Sequence, residues 1–289
     1  MEDESRRWVW CWSAAGVRTG RKIRGNRRFR NRTFLRKVDG RRIQKRIGKR
    51  IQMWESRVKV LLVQFRKRWS RFRKVMMLRR ISREGTLKRV IDHAIQDGRM
   101  QPMIIICPTY NTSPEDSSSY SLALRLTDNY HNELVNDLIP AVEGRYSSYA
   151  EDTSPEGVAA SRMHRGFGGF SMGSVATWHT FQYCLDEFYY FMPMSGSFTT
   201  DGDFMSQIVT ESGYGPEDFF IYAMSGTDDF AYSAFARQIE AMLETSDGNF
   251  VEADNEKEGN LAFRVQEGGT HNGEYAEQYI YNGLCWFWN

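Results

Sequence analysis

The chain is 289 residues long, with 41% hydrophobic and 14% aromatic residues. That supply of apolar side chains suffices for a sizeable core and argues against a wholly disordered protein. The four cysteines, Cys11, Cys107, Cys184 and Cys285, have no paired spacing, which argues against both a disulfide scaffold and a zinc ribbon. No apolar run reaches the roughly eighteen residues of a membrane-spanning helix, and the acidic opening, Met1 to Ser5, does not read as a secretory signal.

The net charge of +3 conceals a strong asymmetry. Residues 1–90 carry 31 Lys and Arg against 6 Asp and Glu, a net of +25; residues 91–289 carry 8 against 30, a net of −22. The expected organisation is a basic Arg/Trp-rich segment over residues 1–83, disordered or irregularly helical, joined to an acidic globular unit over residues 84–289.

In chain order, Val58 to Phe65 has the look of a strand. Leu87 to Gln96 has helical periodicity, with Leu87, Val90, Ile91, Ala94 and Ile95 on one side. Pro102 to Cys107 is a short continuous apolar run, as expected of a strand buried on both faces of a parallel sheet. Glu133 to Tyr146 is helical, and Gly166 to Phe170 approaches a turn that opens a further helix, Val175 to Cys184. Phe188 to Met194, Phe219 to Met224 and Leu261 to Val265 are strand candidates. Ala234 to Leu243 and Gly273 to Trp288 read as helices. Strands alternating with helices imply an α/β fold with a mostly parallel central sheet flanked by helices.

The sharpest motif is Gly169-Phe-Ser-Met-Gly173, a G-x-S-x-G pentapeptide. A nucleophile on a tight strand-to-helix turn needs small neighbours, and the Met172 backbone N–H at the helix start then faces a developing oxyanion. A serine nucleophile needs a base, and the base needs an orienting acid. Of the five histidines, His93, His131 and His164 precede Ser171. His179 lies within the following helix, badly placed to reach the serine. His271 follows a strand and the pair Gly268-Gly269, where such bases sit. The acid belongs between them, after Phe219 to Met224. Asp229, three residues beyond Gly226, is preferred, and Asp228 remains open.

These residues resemble a known family. His131 to Pro140, the Ser171 elbow, Phe191-Met-Pro-Met-Ser-Gly196, Gly226-Thr-Asp-Asp229 with Tyr232, and Gly268-Gly-Thr-His271 are similar to the feruloyl esterases. These form part of carbohydrate esterase family one, the esterase-D-like branch of the α/β-hydrolases. The resemblance covers residues 84–289. It implies Ser171 as nucleophile, His271 as base and Asp229 as acid. It implies hydrolysis of ferulate or acetate esters on plant xylan, a small-molecule or polysaccharide substrate, with no metal and no cofactor. Members are commonly secreted.

The sequence departs from the family in two places. The elbow continues Gly173-Ser174 where two glycines are usual. Upstream of Leu87 the family has a strand ending in a glycine-rich loop that supplies a second oxyanion donor. Here Val58 to Phe65 is followed by Arg66 to Arg83 without a glycine. The expected sheet therefore lacks its usual N-terminal strands, and activity is in question.

Three readings of residues 1–83 compete. One is a nucleic-acid-binding arm, with phosphate attraction from the charge and base stacking from Trp8, Trp10, Trp12, Trp54 and Trp69. Another is a solvated basic tail without a specific partner. The preferred one is translation in a shifted frame. Glycine codons begin GG, so a glycine-rich stretch read out of phase comes out rich in Arg and Trp.

Overall fold

The computed structural model describes residues 8–13, 59–62, 86–108, 110 and 119–287. Its elements are β1 (Trp8–Ser13), β2 (Lys59–Leu62), α1 (Thr86–Gln96), β3 (Met103–Cys107), α2 (Tyr120–Glu133), a π turn (Leu134–Leu138), α3 (Ile139–Glu143) and α4 (Pro155–Ala160). There follow β4 (Arg165–Phe170), α5 (Met172–Tyr183), β5 (Tyr190–Met194), α6 (Gly202–Ser212), β6 (Phe220–Gly226), α7 (Tyr232–Leu243), β7 (Leu261–Gln266) and α8 (Gly273–Trp286). The strands form one sheet of seven in the order β2-β3-β1-β4-β5-β6-β7. All neighbours are parallel except the edge strand β2, which runs antiparallel to β3.

Period-2 alternation sorts the sheet into two apolar faces. Val9, Cys11, Ile104, Ile106, Phe167, Phe191, Ile221 and Ala223 meet side chains of α2, α5, α6 and α7 on one side. Trp10, Ile105, Met192, Met194, Tyr222 and Met224 meet α1 and α8 on the other. The result is a three-layer α/β/α arrangement whose central strands are buried on both faces, hence their unbroken apolar runs.

The expectation that the N-terminal strands are missing is corrected here. β1, from the basic segment, sits between β3 and β4, with Ser13 opposite Gly169. Lys59–Leu62 is a strand, as its sequence suggested, but at the outer edge beside β3. It therefore does not border the elbow strand. β1 went unread because a Trp-rich run amid arginines lacks the Val/Ile signature of a parallel strand. Glycine explains its fit. A Cβ on Gly166 would lie 2.0 Å from the Trp10 ring, and one on Gly168 2.8 Å from it. The indole thus covers β4 where side chains are absent and stacks on Phe287 at 5.2 Å between ring centroids. Trp10 is fully buried and cannot serve as a base-stacking residue. The rest of the basic segment, including Trp54 and Trp69 and the residues that would carry the disordered, arm or shifted-frame readings, lies outside the described residues.

The helix read over Glu133 to Tyr146 begins earlier, at Tyr120, where the Ser119 hydroxyl accepts from the Leu122 N–H at 3.4 Å. It passes through the π turn just before Pro140, a ring that cannot donate to the preceding turn and that favours such widening. α4 and α6 were not anticipated. α6 is capped by Asp201, whose carboxylate accepts from the Phe204 N–H.

A buried ion pair joins the end of α3 to the start of β4. Arg165, at the start of β4, donates to Glu143 at 2.6 Å, with both side chains 1% exposed. The guanidinium also donates to the Val158 carbonyl and the Ser161 hydroxyl, and Ser148 donates to the second Glu143 oxygen. Glu143→Ala is expected to destabilise the fold by about 3–5 kcal/mol, because a buried guanidinium would lose its carboxylate. The shift of the urea midpoint measures it.

Candidate active site

β4 ends in the elbow. Ser171 has φ 60 and ψ −118, a backbone conformation that side chains other than glycine seldom adopt. Surrounding contacts hold it there. The Ser171 N–H donates to the Met194 carbonyl at 2.9 Å, and the Ser171 carbonyl accepts from the Ser174 N–H at 2.9 Å. Crowding explains the flanking glycines. A Cβ on Gly169 would lie 2.2 Å from the Gly173 carbonyl, and one on Gly196 2.4 Å from the Ser171 carbonyl. Ser174, where a glycine is usual, donates its hydroxyl to the Gly196 carbonyl at 2.6 Å. Trp178 Nε1 donates to the same carbonyl at 3.0 Å. The departure from the family pattern thus forms part of the clamp on the elbow.

Two more loops converge on Ser171. After β6, Asp229 N–H donates to the Gly226 carbonyl, and Tyr232 N–H to the Asp229 carbonyl, forming a tight turn. After β7, His271 directly precedes Asn272, which caps α8 by accepting from the Glu274 and Tyr275 N–H groups. The loops can approach because two glycines meet. A Cβ on Gly226 would lie 2.3 Å from the Gly269 carbonyl.

The structure brings together Ser171, His271 and Asp229. His271 Nε2 is 2.8 Å from Ser171 Oγ, and His271 Nδ1 is 2.8 Å from both Asp229 oxygens. Asp228 does not take part. It is exposed and accepts from the Thr227 hydroxyl. Burial raises the Asp229 carboxyl, but hydrogen bonds from His271, the Ala231 N–H and the Ser195 hydroxyl outweigh it, and the group lies below its ordinary value. Ser195 escaped the sequence reading as a site residue. It directly follows β5 with φ 50, is buried, and lies 3.0 Å from Ser225 between the hydroxyls. Its only signal was its place in Phe191-Met-Pro-Met-Ser-Gly196.

Met172 is the first residue of α5, so its N–H has no acceptor within the helix. Arg66 to Arg83, where the family's glycine-rich loop and its second oxyanion donor were sought, lie outside the described residues. His179 stays away from the site. It is buried in α5 against Phe198, 4.7 Å between ring centroids, with Nδ1 3.5 Å from Asp128. Tyr110 belongs to the core and Phe198 packs against it. His271 itself touches two phenyl rings, Phe170 from the core at 4.5 Å and Phe230 from the solvent side at 4.2 Å. Among the described residues no group of three His, Cys, Asp or Glu could hold a metal ion. No described helix is long and apolar enough to cross a membrane.

No family model matches the chain. Endo-1,4-beta-xylanase Y of Acetivibrio thermocellus is 37% identical over 214 residues, which are 72% of this chain and 19% of that protein. The chain thus matches about a fifth of that relative's length. A mutant feruloyl esterase module from Clostridium thermocellum, complexed with sinapinate, is 37% identical over 70% of each chain, with a TM-score of 0.63. The enterobactin esterase of Shigella flexneri, 12% identical with a TM-score of 0.51 over 71% of this chain and 47% of that one, shares the fold alone. With 37% identity over 70% of each chain, the chain belongs to the feruloyl esterases of carbohydrate esterase family one, carboxylic ester hydrolases with the α/β-hydrolase fold.

Proposed function

We propose that the chain is a serine esterase that hydrolyses feruloyl or acetyl esters on plant cell-wall xylan. The observation that carries this reading is the unbroken relay from Ser171 through His271 to Asp229. Ser171 Oγ attacks the ester carbonyl carbon while His271 Nε2 takes its proton. Asp229 holds the imidazole and stabilises its charged form. The Met172 N–H donates to the oxygen that becomes negative. The carbon–oxygen bond to the sugar then breaks, and His271 returns the proton to the leaving sugar oxygen. Water, activated by the same histidine, cleaves the acyl-enzyme, releasing the acid and restoring Ser171. All the residues named lie within residues 84–289, the unit to which we assign the chemistry.

The test is release of ferulate from methyl ferulate, and of 4-nitrophenol from 4-nitrophenyl acetate, by the purified full chain. Turnover of either is expected. A folded sample that hydrolyses neither overturns the reading.

A further inference from the structure

We infer that Phe230 is a specificity-determining residue, an aromatic platform for the sugar on the leaving-group side of the ester. This rests on the esterase reading above. Phe230 is 83% exposed, the most exposed large apolar side chain among the described residues. A lone exposed phenyl group is ordinary on a protein surface. Phe230 is distinguished by its location. It follows the acid Asp229 directly, and its ring centroid is 4.2 Å from that of the base His271.

The turn that carries it is pinned on both sides. Ala231 N–H donates to Asp229 Oδ1 at 2.8 Å, and Tyr232 N–H to the Asp229 carbonyl at 3.0 Å. The backbone beneath the ring is therefore fixed before any ligand arrives, and the ring itself rests against His271, which lowers the ordering cost of binding. Phe170, the other ring against His271, is 4% exposed and has no face to offer.

The chemistry of the relay decides which half of the ester meets Phe230. The leaving oxygen takes its proton from His271 Nε2, so it must come within hydrogen-bond reach of that nitrogen, about 3 Å. A sugar ring bonded to that oxygen then lies alongside the imidazole, where the exposed face of Phe230 stands. The acyl group hangs from the carbonyl carbon bonded to Ser171, whose oxygen points to the Met172 N–H, and no step brings it to His271. The C–H face of a pentose carries weak positive charge and suits the negative face of a phenyl ring.

The test compares two feruloyl esters with one acyl group and different leaving groups: a feruloyl ester of arabinose and methyl ferulate. Phe230→Ala is expected to lower kcat/KM for the arabinose ester roughly three- to tenfold while changing that for methyl ferulate less than about twofold. Phe230→Trp, which keeps an aromatic face, is expected to retain the preference. The side chain is exposed, so neither substitution threatens the core. An equal loss on both esters would make Phe230 a positioning residue for His271 and overturn the platform; no change on either would also overturn it. Should the unaltered chain hydrolyse no methyl ferulate, the esterase reading falls and takes this inference with it, an outcome distinct from an active chain indifferent to Phe230.

Discussion

Replacing Ser171 with alanine is expected to lower turnover of methyl ferulate and 4-nitrophenyl acetate by on the order of a millionfold, the scale of losing a triad nucleophile. The substitution removes one oxygen and leaves everything else at the elbow in place. The Cβ remains, so the backbone at φ 60 is no more and no less strained. The hydrogen bonds that hold the turn are made by backbone groups of Ser171 and by the hydroxyl of Ser174, none of which is altered. The thermal midpoint of the variant should therefore match that of the parent chain. A variant that keeps activity within about tenfold would place the hydrolysis elsewhere, because no other described group is hydrogen-bonded to His271 Nε2.

Asp229→Asn is expected to cost about ten-thousandfold in kcat, with Asp228→Asn changing it less than twofold. The asparagine amide keeps the shape of the carboxylate but offers His271 Nδ1 an N–H where an acceptor is needed. The imidazole then favours the tautomer that cannot take the Ser171 proton. Its charged form also loses a counter-ion held within 2.8 Å. The neighbouring aspartate supplies the internal control, since it is exposed and its carboxylate accepts from Thr227, while the carboxylate on His271 Nδ1 is that of Asp229. The carboxylate also links folding to acid. Its folded value lies below the ordinary 3.8, so its contribution to stability is fully present above that pH and is lost as pH falls through the lower folded value. The Asp229→Asn chain should lack this part of the acid response in urea titrations at successive pH values. Equal losses in the two asparagine variants would overturn the assignment of the acid.

Much of the site was legible because its chemistry leaves local marks. The elbow needs small residues beside Ser171 at fixed offsets, and Gly169 and Gly173 are there. His271 sits between a glycine pair and a helix cap, and both features are contiguous in the sequence. The choice between Asp228 and Asp229 could not be closed from the sequence, because adjacent residues in a turn point different ways and only the path of the backbone decides which reaches His271. Ser195 was hidden for a related reason. Its part depends on β5 and β6 being neighbours, and the order of strands is not written in any one segment. Among the helices, the one after the elbow was found from the motif that opens it, and that of Tyr120–Glu133 was read only from its last residue onward. Pro155–Ala160 is too short to show an apolar stripe, and Gly202–Ser212 is flanked by residues that read as loop. The strand Trp8–Ser13 was the largest omission. Its composition signals charge and bulk, and it fits only because Gly166 and Gly168, far along the chain, leave room for Trp10.

That strand makes the sheet's wiring non-local. β1 comes first in the chain yet lies between β3 and β4, which touch each other only through it. During synthesis Trp8–Ser13 leaves the ribosome long before either partner exists, and its apolar residues must wait for Met103–Cys107 and Arg165–Phe170. Contacts of such sequence separation close slowly. Until they close, two half-sheets stand with raw edges beside each other, a state open to pairing with other chains. Docking of β1 is thus expected to set the pace of folding as well as to complete the sheet. A chain shortened at that end would lose the strand that joins the half bearing Ser171 to the half built on β3.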